Sequence, residues 1–64
     1  MKKYTPKIVI KILIKNGWTE RRTRGSHHIF IKEGEKNIVV IPTNKKIIPI
    51  GTLKNIEKQA NIKF

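Results

Sequence analysis

Two adjacent histidines, His27 and His28, are the residues of this 64-residue sequence best suited to proton transfer. An imidazole titrates near pH 6.5 and can therefore accept and return a proton at neutral pH. RNA supplies its own nucleophile, the 2′-hydroxyl beside each phosphate. One histidine acting as general base, with cations that hold the phosphate, is thus a sufficient outline for cutting RNA without a metal ion. By spacing alone, such a pair more often provides surface polarity or a structural contact.

The candidate phosphate ligands are three arginines that lead into the histidines, Arg21, Arg22 and Arg24. A guanidinium group matches phosphate oxygens with two parallel hydrogen bonds, so arginines beside histidines favour a phosphate clamp. Lys45 and Lys46, in a basic loop further along, would extend this track. The alternative for any one of these cations is an exposed strand or loop kept soluble by charge.

The composition narrows the classes of partner. Fifteen Lys and Arg against four Glu give a net charge of +11, which attracts nucleic acid or an acidic protein. The sequence has no cysteine, which excludes disulfides and thiol nucleophiles and predicts a reducing, cytoplasmic location. Lysine breaks the longest apolar stretches every few residues, so no membrane-spanning segment or membrane partner is predicted. We expect residues 1–64 to form a single domain.

Several familiar kinds of active site lack their residues. The carboxylates are four scattered glutamates, Glu20, Glu33, Glu35 and Glu57. A two-metal nuclease needs carboxylates that converge on its ions, and a Ser-His-Asp triad lacks its Asp here, although a Glu could replace it. No glycine-rich phosphate loop is present. The sequence therefore predicts neither a metal site nor a cofactor.

The elements that would position the histidines begin with a helix predicted over residues 6–16. Its apolar residues fit a strand as well as a helix, but the flanking residues favour a helix. Thr5 can cap it, Pro6 suits its first position, and Asn16-Gly17 is a typical end. Trp18, which follows, is predicted to pack in the core.

Three strands and a second helix follow. Strands are predicted over 18–24, 28–33 and 38–41, and a helix over 52–62. Gly25-Ser26 forms the predicted turn before the histidines. The order α-β-β-β-α predicts an α+β fold, with two helices on one face of a three-stranded antiparallel sheet.

Four segments together give the sequence a resemblance to a known family: Gly17-Trp18, Arg24–Phe30, Val40–Pro42 and Ile50–Ala60. In this order they are similar to the HicA toxins, the small ribonucleases of HicA–HicB toxin–antitoxin systems. The resemblance covers nearly the whole chain. It implies a fold like that of the double-stranded-RNA-binding domain, metal-independent cleavage of mRNA, and neutralisation by a HicB antitoxin.

The resemblance also implies a catalytic residue. In the family the catalytic histidine lies in the Gly-Ser-His segment, which is His27 here, with Gly25 and Ser26 shaping the turn that presents it. Some members use the next position, so His28 is the alternative. Members often carry another histidine shortly after the proline of the third strand, where this chain has Thr43 and Asn44.

A different function fits the same charge and architecture. A non-catalytic module that binds structured RNA would need no chemistry from the histidines. The two hypotheses differ in their product, because a binding module retards RNA but leaves it intact.

Overall fold

The computed structural model describes residues 3–64 and has the predicted element order. Its elements are α1 (Pro6–Lys15), β1 (Thr19–Arg24), β2 (His27–Ile31), β3 (Val39–Pro42) and α2 (Ile50–Ala60). The strands form one antiparallel sheet in the order β1-β2-β3, with β2 in the middle. The predicted α+β class, resembling the double-stranded-RNA-binding domain, is confirmed.

Helix α1 begins and ends with the local interactions that the sequence predicts. The Thr5 hydroxyl accepts a hydrogen bond of 3.2 Å from the Ile8 N–H, and Pro6 occupies the first turn. At the other end, the Asn16 side chain donates to the Ile12 carbonyl at 2.8 Å. Gly17 then adopts a φ of +94°, a conformation that glycine reaches without strain.

The sheet differs from its predicted boundaries by one or two residues at several ends. Strand β2 begins at His27 rather than residue 28, so both histidines belong to it. Strand β3 extends to Pro42, which was expected to stop it. A proline can end an edge strand because no partner requires its missing N–H there.

Helix α2 begins two residues earlier than predicted, at Ile50, and ends at Ala60 rather than at residue 62. Pro49 immediately precedes it, and its fixed φ suits a helix start. Asn61 ends the helix in the left-handed conformation, with φ of 56°, which asparagine tolerates better than most residues.

The core lies between the helices and one face of the sheet. Within residues 3–64, the core cluster consists of nine buried apolar side chains: Val9, Leu13, Trp18, Phe30, Val39, Ile41, Ile48, Ile56 and Ala60. The predicted core position of Trp18 is confirmed, since only 2% of its surface is exposed. Ile8 of α1 lies outside the core and is 43% exposed. No helix in residues 3–64 has the length and hydrophobicity needed to cross a membrane.

Candidate functional site

A β-bulge in β1 determines which side chains lie beside each histidine. Arg24 lies opposite His27 and Thr23 opposite His28, but further along the strand the register shifts between Glu20 and Arg22. The inserted residue is Arg21, which has no Cα partner on β2. A bulge of this kind sends all the side chains beyond it to the other face of the sheet.

The two histidines point to opposite faces. Phe30 is fully buried beneath the helices, so His28, two residues before it on β2, shares the helix-covered face. His27 therefore projects from the open face, and its side chain is exposed. Directly paired residues share a face, which places Arg24 beside His27 and Arg22 further along that open face.

On the other face, His28 belongs to a cluster with two side chains of β1. Its Nδ1 lies 2.9 Å from Oε2 of Glu20 and 3.5 Å from the Thr23 hydroxyl. The Thr23 hydroxyl also donates to the same Glu20 oxygen. An ionised carboxylate has no proton to donate, so Nδ1 of His28 must carry the proton in the contact with Glu20. Nε2 of His28 takes no part in this contact. We call these three residues the Glu20 cluster.

The cluster stabilises the charged form of its carboxylate. The hydrogen bond from Thr23 is the largest influence that lowers the pKa of Glu20, and the hydrogen bond and charge of His28 lower it further. The carboxylate is 39% exposed and the histidine 27%, so the cluster stands at the edge of the helix-covered face rather than within the core. Ionised Glu20 is therefore the acceptor for both neighbours at neutral pH.

The turn that precedes His27 is held from the end of β3. Gly25 has a φ of +59°, and a Cβ placed on it would meet nothing within 4 Å. The next carbonyl, that of Ser26, accepts two hydrogen bonds from Thr43, one from its N–H at 2.7 Å and one from its hydroxyl at 2.9 Å. The turn is thereby attached to the strand end opposite His27.

The remaining predicted cations lie at the same end of the sheet or beside it. Pro42 is paired with His27, and the loop that follows it carries the exposed Lys45 and Lys46. This loop leaves the sheet at the end where His27 lies. Arg21 is exposed at the bulge, further along β1.

Glu20 is the residue that the sequence analysis did not connect to the histidines. Sequence reasoning leaves it among the scattered glutamates, because it lies eight positions before His28 and no spacing rule connects the two. The hairpin brings the two together, and the bulge places Thr23 opposite His28, where its hydroxyl contacts both of them. Within residues 3–64, no three His, Asp or Glu side chains converge as a metal site would need.

Comparison with known proteins agrees with this architecture. The family model described as the HicA toxin of bacterial toxin–antitoxin systems matches residues 6–62, from the first residue of α1 to just beyond α2. No individual curated protein matches the chain significantly. Since the family match spans nearly all of the 64 residues, the chain belongs to the HicA family of toxins from bacterial toxin–antitoxin systems.

Proposed function

We propose that this toxin is a metal-independent endoribonuclease that cleaves mRNA, with His27 as its general acid and base. The observation that carries the proposal is the pairing of His27 with Arg24 on the open face, with Arg22 on the same face. A phosphate held by these guanidinium groups would lie beside an exposed imidazole. His28 is less suited to this role, because its Nδ1 is engaged by Glu20 on the helix-covered face.

The chemistry is transesterification at a phosphodiester. His27 accepts the proton of the ribose 2′-hydroxyl, and the 2′-oxygen forms a bond to phosphorus. The bond from phosphorus to the 5′-oxygen breaks, and that oxygen takes a proton from the protonated His27. The products are a 2′,3′-cyclic phosphate and a free 5′-hydroxyl. Arg22 and Arg24 stabilise the extra negative charge that develops on the phosphoryl oxygens.

The other predicted residues hold the substrate or the catalytic group. Gly25 and Ser26 form the turn that presents His27. Arg21, Lys45 and Lys46 bind phosphates on either side of the cleaved one: Lys45 and Lys46 follow the strand end that pairs with His27, and Arg21 is exposed at the bulge of β1. Each contributes charge rather than sequence recognition.

A HicB-type antitoxin neutralises the toxin by covering this face. The family implies an antitoxin partner. Because the net charge of the toxin is +11, we expect the antitoxin surface that binds it to be acidic. Complex formation should be fast at low salt and slow as salt rises. The target mRNA and the partner place the toxin in the cytoplasm. Association that does not respond to salt would contradict this electrostatic account.

The test is incubation of the purified chain with single-stranded RNA in excess chelator, followed by identification of the product ends. We expect cyclic phosphate ends and 5′-hydroxyls. A matched RNA with 2′-deoxyribose at each cleaved position should stay intact, because it lacks the nucleophile. Cleavage of the deoxy substrate, or activity that requires an added metal ion, would refute the proposal.

Two variants assign the histidine. His27→Ala should lose cleavage while keeping its fold, whereas Lys11→Ala, on the exposed side of α1, should cleave normally. If His28→Asn alone abolished cleavage, the catalytic role would move to that residue. RNA that is bound but never cut by the wild-type chain would favour the non-catalytic binding module instead.

A further inference from the structure

The β-bulge at Arg21 determines which side chains of β1 lie on the open face. With regular pairing continued from Glu20 and Phe30, Arg22 would oppose His28 and Thr23 would oppose His27. Arg22 and Arg24 would then lie on the helix-covered face, away from His27. The inserted residue, Arg21, moves Arg22 and Arg24 to the open face and Thr23 to the helix-covered face. The position of these two guanidinium groups therefore depends on the bulged register.

The Glu20 cluster spans the bulge. Glu20 lies on one side of the register shift, and Thr23 lies on the other. Both make contact with Nδ1 of His28 on β2, at 2.9 Å and 3.5 Å, and with each other. The bulged segment is otherwise exposed along its whole length, so no burial of side chains holds it in register.

We propose that His28 is a positioning residue, which together with Glu20 and Thr23 locks the bulged register of β1 and thereby places Arg22 and Arg24 beside His27. This inference builds on the proposed function. It assigns a role to the second histidine that requires a hydrogen-bond donor at Nδ1 and no proton transfer. We call this restraint on the register of β1 the lock. In a regular register, which the lock excludes, Arg22 and Arg24 would no longer lie on the open face.

The requirement for Nδ1 separates this role from catalysis. The side-chain nitrogen of Asn occupies nearly the place of Nδ1 in His, whereas that of Gln reaches nearly to Nε2. His28→Asn therefore keeps a donor toward Glu20 but cannot carry a proton at neutral pH. His28→Gln moves the donor away from Glu20. It is therefore the matched variant that lacks the hydrogen bond which His28→Asn keeps.

The first experiment measures binding to uncleavable 2′-O-methyl RNA over a range of salt concentrations. We expect His28→Gln and Glu20→Gln to bind about tenfold more weakly than wild type. Their salt slopes should fall by about 0.7 for each phosphate that the variant no longer binds. His28→Asn should bind as wild type does. Glu33→Gln, in the exposed turn after β2, changes the net charge as Glu20→Gln does and should leave binding unchanged.

The second experiment measures cleavage and register with the same variants. His28→Asn should keep kcat within about twofold, whereas Glu20→Gln should both raise KM and lower kcat, because the displaced arginines bind the phosphate and stabilise its developing charge. Cross-strand NOEs between Arg24 and His27 should persist in His28→Asn and weaken in His28→Gln. Circular dichroism confirms that each variant is folded before it is compared.

The outcomes distinguish the lock from the nuclease proposal. If the wild-type chain leaves RNA intact but the binding and NOE differences appear, the nuclease proposal fails and the lock stands. If His28→Asn loses cleavage with normal binding, His28 transfers protons and the positioning role is wrong. Unchanged salt slopes and NOEs in His28→Gln would overturn the lock while leaving cleavage by His27 intact.

Discussion

Thr43 donates both its N–H and its hydroxyl to the carbonyl oxygen of Ser26, across the end of the sheet. Ser26 directly precedes His27, so these two bonds attach the turn that presents the histidine to the end of β3. Members of the HicA family often carry a histidine close to the position of Thr43. This chain uses the position instead to support the turn.

Removing the Thr43 hydroxyl should weaken that support. Thr43→Val deletes the 2.9 Å side-chain bond but keeps the 2.7 Å bond from the backbone. We expect a loss of about 1 kcal/mol in the free energy of unfolding, because one partly buried hydrogen bond disappears. Urea denaturation measures the loss. Thr19→Val, at the exposed start of β1, is the control and should change stability by no more than about 0.5 kcal/mol. Equal effects of the two substitutions would contradict this role for Thr43.

Gly25 should be required for its backbone conformation rather than for space. At its φ of +59°, an alanine meets no atom within 4 Å but adopts a left-handed conformation, at a cost of about 1–2 kcal/mol. Gly25→Asn should cost less, since Asn tolerates this region better. Gly51→Ala, within α2, also meets no atom and should stabilise the fold by about 0.5 kcal/mol. Thermal unfolding of the three variants gives the comparison, and destabilisation by Gly51→Ala would show that the argument fails.

Arg24 should bind phosphate with the fork of its guanidinium group and not only with its charge. Arg24→Ala is expected to lower the salt slope of RNA binding by about 0.7, the contribution of one phosphate contact to a single strand. Arg24→Lys should recover the slope but only part of the affinity, because an ammonium group cannot make two parallel bonds. Lys11→Ala removes the same charge from α1 and serves as control. A slope that falls equally in Arg24→Ala and Lys11→Ala would mean that total charge, not the site, governs binding.

The Glu20 cluster predicts a pH-dependent contribution to stability. The pKa of Glu20 is lowered from its ordinary 4.5, chiefly by the Thr23 hydroxyl and further by His28. A carboxylate with a lowered pKa stabilises the fold fully above its ordinary value, and this stabilisation is lost as pH falls through the lowered one.

We therefore expect wild type to melt above Glu20→Gln at neutral pH, and the two curves to converge in acid. Melting temperatures measured from neutral pH downward test this, with Glu33→Gln compared over the same range. A difference in melting temperature between wild type and Glu20→Gln that increased in acid would contradict the predicted direction.

Local interactions made much of the fold predictable. The start of α1 follows from Thr5 and Pro6, its end from Gly17, and the end of α2 from Asn61, because each acts on its own neighbours along the chain. The core position of Trp18 was also predictable, because Trp18 lies between the end of a helix and a strand. The exact ends of the strands were less predictable, because pairing with a neighbouring strand determines them.

The element order, the histidines at the start of β2, the basic character of the surface and the family were all predictable from the sequence. These follow from residue types and short spacings. Which side chains contact one another depends on how the folded strands pair. A single inserted residue, Arg21, turns Arg22 and Arg24 toward His27 and leaves Thr23 and Glu20 with His28. No local pattern predicts that insertion, because a bulge exists only in the pairing of two strands, where one residue of β2 faces two of β1.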